Sequence, residues 1–167
     1  WVSNWEKGTV SVVDIRTGKS GEPIAVGREP RGTAITPDGK KVYVTNFGAN
    51  SISVIDAAAQ KVVKTLDTPD CKAPRHADAA ADGRVFVSCY GGSEIIVIDS
   101  KTDQVVKRVT VGVGPKTIAV SRDQKFAYTA DYKGHGMSII DLTSWKALVI
   151  PLPTYKTSGL AVAPDDG

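Results

Sequence analysis

Apolar and polar positions along the chain alternate in short runs, and the runs recur. The strings "SVVD", "SVID", "IVID" and "SIID" end at Asp14, Asp56, Asp99 and Asp141, spaced 42, 43 and 42 residues apart. Each is preceded by a second apolar run: "WVSNW" from Trp1, "YVTNF" from Tyr43, "FVSCY" from Phe86 and "YTADY" from Tyr128. A Gly-containing connection such as "FGAN" or "YGGS" joins the two. Paired β-rich runs separated by Gly and Asn predict a hairpin.

After each Asp comes a polar turn and a less regular run: "EPIAV", "KVVKTL", "QVVKRVTV" and "KALVIPL". A fourth run of small residues follows, beginning at Gly32, Ala77, Thr117 and Gly159. Each unit therefore holds four strands in about 42 residues, the length and content of a propeller blade. No segment keeps apolar residues at a 3.6 period over three turns, so no helix is predicted. The fold class read from the pattern is all-β: a β-propeller of four-stranded antiparallel blades, about four in this chain. Residues 1–167 form a single propeller domain or partial propeller, with repeats near 1–41, 42–84, 85–125 and 126–167.

The phase of the repeat carries an expectation about closure. The chain begins on the second strand of a blade and reaches, at Gly159–Ala163, an inner strand whose own blade does not follow. That run is expected to latch onto the blade begun at Trp1, leaving no open edge. Three arrangements fit: a four-bladed ring, two chains pairing into an eight-bladed ring, or four blades of a longer propeller.

Composition narrows the function classes. With 167 residues and 41% apolar content the chain can bury one ordinary core. Its 21 Lys and Arg against 18 Asp and Glu leave a net charge of +3, with the charges dispersed. Neither a nucleic-acid partner nor a membrane surface is implied. No apolar run is long enough to span a bilayer. Because the chain opens on Trp1 without a Met or a signal peptide, a processed protein or an excised piece is expected.

"KKVYVTNFGANSISVID" together with "GREPRGTAITPDGK" resembles the YVTN-repeat β-propellers, and the resemblance covers all four units. More distantly it extends to lactonase-type propellers, the copper-bearing propeller of nitrous oxide reductase and the haem-binding propeller of cytochrome-type nitrite reductases. The resemblance implies that loops leading into the inner strands share one face with the hairpins between second and third strands, around the central channel. Arg31, Arg75 and Lys116 then form a positive arc at the channel mouth, with His76 beside it. Clustered cations of fixed geometry hold a carboxylate or phosphate.

The same placement brings Cys71 and Cys89 together, most simply as a disulfide between a loop and its own blade, which implies a periplasmic or extracellular protein. A sharper alternative is a metal site, since His76, His135 and Met137 fall on the same face. The Asp closing each third strand is expected to bond turn amides rather than act as a catalytic carboxylate. Trp5, Phe47, Tyr90 and Tyr132, at one repeat position, are expected to serve blade packing. No G-x-S-x-G elbow, P-loop or H-E-x-x-H is present.

The expectation is thus a non-enzymatic envelope or secreted propeller that binds an anionic small molecule or a protein partner on its basic face. No cofactor and no metal ligand are assigned. The alternative is the propeller domain of an enzyme, either a lactonase-like hydrolase or a copper- or haem-bearing reductase. Pairing as a homodimer, or with the remainder of a larger propeller, accompanies either reading.

Overall fold

The computed structural model describes residues 1–153 and 156–162. It is all β, with four antiparallel sheets in chain order. The first holds β1 (Val2–Asn4), β2 (Thr9–Ser11) and β3 (Ile24–Ala25). The second holds β4 (Pro30–Ile35), β5 (Lys41–Asn46), β6 (Ser51–Asp56) and β7 (Lys61–Asp67). The third runs through β8 (Pro74–Ala79), β9 (Arg84–Cys89), β10 (Glu94–Asp99) and β11 (Gln104–Thr110). The fourth is β12 (Pro115–Val120), β13 (Phe126–Asp131), β14 (Gly136–Asp141) and β15 (Ala147–Pro151). Strands within each sheet follow one another in sequence, the up-and-down order of a propeller blade.

Three apolar layers hold neighbouring blades face to face. Val10 and Ile24 of the first blade meet Val42, Val44 and Ile55 of the second. Tyr43, Ile52 and Val54 then meet Val85, Val87, Ile96 and Ile98 of the third, and Phe86, Ile95 and Val97 meet Ile118, Ala127 and Ile140 of the fourth. Both faces of the two middle sheets are covered, which explains their near-continuous Val and Ile runs.

Polar ties repeat with the same period. Asp56 Oδ1 accepts the amides of Ala58 and Ala59, as Asp141 Oδ1 accepts those of Thr143 and Ser144 and Asp99 Oδ1 that of Lys101. The recurring Asp is a turn residue, as the sequence implies. Asp103 and Trp145 occupy one left-handed turn position in successive blades and each reaches back to the blade before. Asp103 accepts from Lys41 Nζ at 2.8 Å and from the Tyr43 hydroxyl; Trp145 stacks on Phe86 at 6.4 Å. Burial, then the bond to Asp103, pushes the Tyr43 phenol well above its usual range.

The expected latch does not form over the residues described. Gly159–Val162 belong to no strand, β1 pairs with β2 alone, and Ala163 lies outside the described residues. A four-bladed ring closed by its own chain would bury the outer faces of the first and fourth blades. Instead Val2 is 51% and Val13 38% exposed, whereas their counterparts Val44, Val87, Ile55 and Ile98 are fully buried.

Candidate functional site

Each inner strand opens in the same way. Pro30 pairs with Asn46, Pro74 with Cys89 and Pro115 with Asp131, and directly after each proline the register shifts. The bulged residues are Arg31 and Gly32, Arg75 and His76, and Lys116. A bulge redirects side chains at a strand end, and here it presents the three cations on one face. Gly32 is required at this bulge: a Cβ there would lie 2.8 Å from the Arg75 carbonyl oxygen and the His76 Cα.

Side-chain hydroxyls fix the cations' backbone across the blade joints. Ser3 Oγ donates to the carbonyl of Arg31 at 2.7 Å, Thr45 Oγ1 to that of Arg75 at 3.0 Å and Ser88 Oγ to that of Lys116 at 3.4 Å. These three donors hold one repeat position, the second residue of each "SN", "TN" and "SC" pair reading backwards from Asn4, Asn46 and Cys89. In the fourth blade the position is Ala130, which has no hydroxyl.

The cations converge on a cavity of about 340 Å3 lined by Ser3, Trp5, Arg31, Arg75, His76 and Lys116, with Pro30, Gly32 and Thr117. Among the described residues, none of the three cations has a carboxylate within ion-pair distance, whereas Arg108 bonds Glu94 at 3.0 Å and Lys41 bonds Asp103. Burial, and next the charge of Arg31, hold Arg75 below the usual guanidinium range. Arg31 Nε and Thr117 Oγ1 are buried without a hydrogen-bond partner among the described residues. Like charges kept together in a half-buried site, with donors left unpaired, are destabilising unless an anion joins them.

Each cation lies against an aromatic ring. Arg31 lies between Trp5 and Phe47, 5.4 and 4.6 Å from their centroids; Arg75 lies 5.1 Å from Tyr90 and Lys116 4.7 Å from Tyr132. Phe47, Tyr90 and Tyr132 follow one another at 5.9 and 6.1 Å. The four aromatics expected to serve blade packing are therefore also the platform of the site. Cation–π contact occupies the face of each guanidinium and leaves its N–H edge for an acceptor. The cation after each proline precedes the aromatic after the following second strand by 16, 15 and 16 residues.

His76 Nδ1 lies 3.1 Å from the Ile118 carbonyl oxygen, and Asp78 Oδ2 accepts the amide of Val120 at 2.9 Å, so two β8 side chains bond the neighbouring inner strand. Burial lowers the His76 pKa, with Arg75 adding to the effect and Asp78 and Ile118 opposing it. At neutral pH the ring is uncharged.

Cys71 and Cys89 are disulfide-bonded with their Cα atoms 4.9 Å apart, as the sequence led us to expect. Bonds of this kind persist in oxidising compartments, the periplasm or the cell exterior. The bond also takes both thiolates out of the soft-donor set on which the copper alternative rested. His135 meets the amide of Lys156 through Nδ1 and is not among the residues lining the cavity with His76. Among the described residues no three His, Cys, Asp or Glu side chains are grouped to hold a metal ion.

No family model matches the chain. It is 29% identical over 138 residues to Antigen Lp49 of Leptospira interrogans serogroup Icterohaemorrhagiae serovar copenhageni (strain Fiocruz L1-130), a match covering 78% of this chain and 30% of the antigen. Among solved structures it is similar to Kuenenia stuttgartiensis hydrazine synthase, with a TM-score of 0.81 and 28% identity over 89% of this chain and 45% of that one. Dihydro-heme d1 dehydrogenase NirN in complex with DHE gives a TM-score of 0.75 at 21% identity, covering 90% of this chain and 34% of that one. The chain thus spans less than half of each relative. The likeness bears out the propeller fold.

Proposed function

We propose that this chain is a binding propeller of the YVTN-repeat type, working in the periplasm or outside the cell, whose Arg31–Arg75–Lys116 mouth holds the carboxylate or phosphate group of an acidic ligand or partner protein. The observation that carries the reading is the uncompensated charge: three cations at equivalent bulges line one cavity without a carboxylate partner among the described residues. Its volume, at the small end of the roughly 300 to 1,000 Å3 usual for ligand pockets, suits one anionic group rather than a large organic body. His76, neutral at rest, supplies an adjustable hydrogen bond at the same site. Calorimetric titration with inorganic pyrophosphate and with citrate tests the reading: saturable one-to-one binding that weakens with added salt is expected, and no saturable heat from either anion would refute it.

A second reading, the propeller domain of a redox enzyme, rests on the likeness to hydrazine synthase at 28% identity. The protein purified from its native host would then carry visible absorption, which the binding reading does not require.

A further inference from the structure

The hairpins beside the mouth carry further cations. Each hairpin crosses the loop that leads into its own blade's inner strand: the amides of Phe47, Tyr90 and Tyr132 donate to the carbonyls of Glu29, Ala73 and Gly114 at 3.0, 3.2 and 3.0 Å. At every such crossing a glycine faces a cation. In the second and third blades the hairpin supplies the glycine, since a Cβ on Gly48 would lie 2.9 Å from Arg28 Nε and one on Gly91 2.8 Å from Lys72 Cβ. In the fourth blade the parts are exchanged. The loop supplies Gly114, in the left-handed region at φ +65°, and a Cβ there would lie 2.6 Å from Cγ of Lys133, which holds the hairpin position of Gly48 and Gly91.

The exchange re-aims the charge. Arg28 Nη2 donates to the Gly48 carbonyl with Glu29 beside it, and among the described residues neither Arg28 nor Lys72 meets a ring of the Phe47, Tyr90 and Tyr132 series. Lys133 instead crosses the joint to the third blade. Its Nζ lies 4.5 Å from the centroid of Tyr90, the ring that also carries Arg75 at 5.1 Å, so the two charges are no further apart than those distances together. Lys133 has no carboxylate within ion-pair distance among the described residues. Unlike Arg75 it is exposed and stands outside the lining of the cavity. Two like charges gathered on one ring repel each other unless negative charge joins them.

We propose that Lys133 is a specificity-determining residue of the mouth, selecting ligands with two adjacent anionic groups, of the diphosphate or dicarboxylate class. Arg31, Arg75 and Lys116 hold the first group inside the cavity and Lys133 holds the second at its rim. The assignment rests on the anion-binding reading of the mouth and narrows it to a ligand class. A cavity of about 340 Å3 takes one anionic group, so whatever is bonded to that group projects past Tyr90. Two linked phosphoryl groups reach both cations through charge-assisted bonds of about 2.8 Å. Lysine, a point charge with three rotatable donors, suits a group held at an open rim.

Calorimetric titration with inorganic phosphate and with inorganic pyrophosphate separates the two claims. The parent should prefer pyrophosphate by about tenfold. Lys133→Gln keeps a stem over Gly114 and removes the charge; it should weaken pyrophosphate about fivefold, as for one charge pair at an exposed rim, and phosphate less than about twofold. Arg75→Ala should weaken both. Lys7→Gln removes a charge from an exposed hairpin position of the first blade and should change either affinity less than about twofold, which controls for diffuse attraction. Parental affinity for pyrophosphate in Lys133→Gln, or equal losses for the two anions, would overturn the inference and leave the anion-binding reading standing. Binding of neither anion by the parent would overturn both.

Discussion

Cys89 stands at the strand-end position that Asn46 holds one blade earlier, and each ties down the residue three places before the proline of its inner strand. Asn46 Oδ1 accepts the amide of Gly27 at 3.1 Å; Cys89 bonds Cys71 covalently. Asp131 holds the position in the fourth blade, opposite Gly112. Glycine is needed at 27 and 112 because a Cβ there would run into the Asn46 or Asp131 side chain, at 2.6 and 2.2 Å. One clasp is thus built three ways along the chain, by an amide, a thiol pair and a carboxylate, and each fixes the loop that delivers a cation to the mouth.

This equivalence predicts that the disulfide can be replaced by its polar counterpart. Cys71→Ser with Cys89→Ser should cost about 3 kcal/mol, as for a bridge closing a short loop. Cys71→Gly with Cys89→Asn should recover about 1 kcal/mol of that through the hydrogen bond Gly27 makes. Urea denaturation of the two double variants decides it, and equal midpoints would show that the positions are not interchangeable.

Asp131 is fully buried, accepting from Ser138 Oγ at 2.6 Å and Thr129 Oγ1 at 2.7 Å, and burial raises its pKa above the usual carboxylate value despite those bonds. With the folded pKa above the unfolded one, the folded state binds the extra proton, so this group's contribution to stability falls as pH rises through that window. Asp131→Asn should remove this slope and raise stability at pH 7 by about 1 kcal/mol, since Asn46 fills the same position with bonds to Ser51 and Ser53. Thermal melts across pH 4 to 7, a range set by the ordinary carboxylate value of about 4, check it; a variant less stable than the parent at neutral pH would mean the charge itself is needed.

His76 carries the opposite sign. Its folded pKa lies below the model-peptide value of about 6.5, so the free protein loses stability as pH falls through the window between them. An anion held beside Arg75 favours the imidazolium. Pyrophosphate should therefore bind more tightly as pH drops from 7 to about 5.5, after allowance for the anion's own titration, by several-fold in the wild type and not in His76→Gln. A variant with the same pH profile as the parent would remove His76 from the site.

The blade repeat was legible because a strand pair, a turn and a 42- to 43-residue step recur together, and periodicity of that kind survives any uncertainty about individual strands. The cation positions were legible for the same reason: Arg31, Arg75 and Lys116 each follow a proline. Their stacking on Trp5, Phe47, Tyr90 and Tyr132 was not, because it depends on how far a bulge turns one strand end towards the neighbouring hairpin. Nor was the failure of residues 159–162 to pair with β1, since local pattern specifies a strand and tertiary context specifies its neighbour. The clasp series could have been found by aligning Gly27, Cys71 and Gly112 at three residues before each proline.

The most direct test of the anion-binding account is the affinity for inorganic pyrophosphate of Arg75→Ala compared with Arg108→Ala. Arg75 lines the mouth with no ion-pair partner among the described residues, whereas Arg108 lies on β11 and already bonds Glu94 and Asp70. The account predicts a tenfold or greater loss at Arg75, about 1.4 kcal/mol or more, and a change of less than twofold at Arg108. Equal losses at the two positions would contradict it, reducing the interaction to diffuse attraction between an anion and a mildly basic surface.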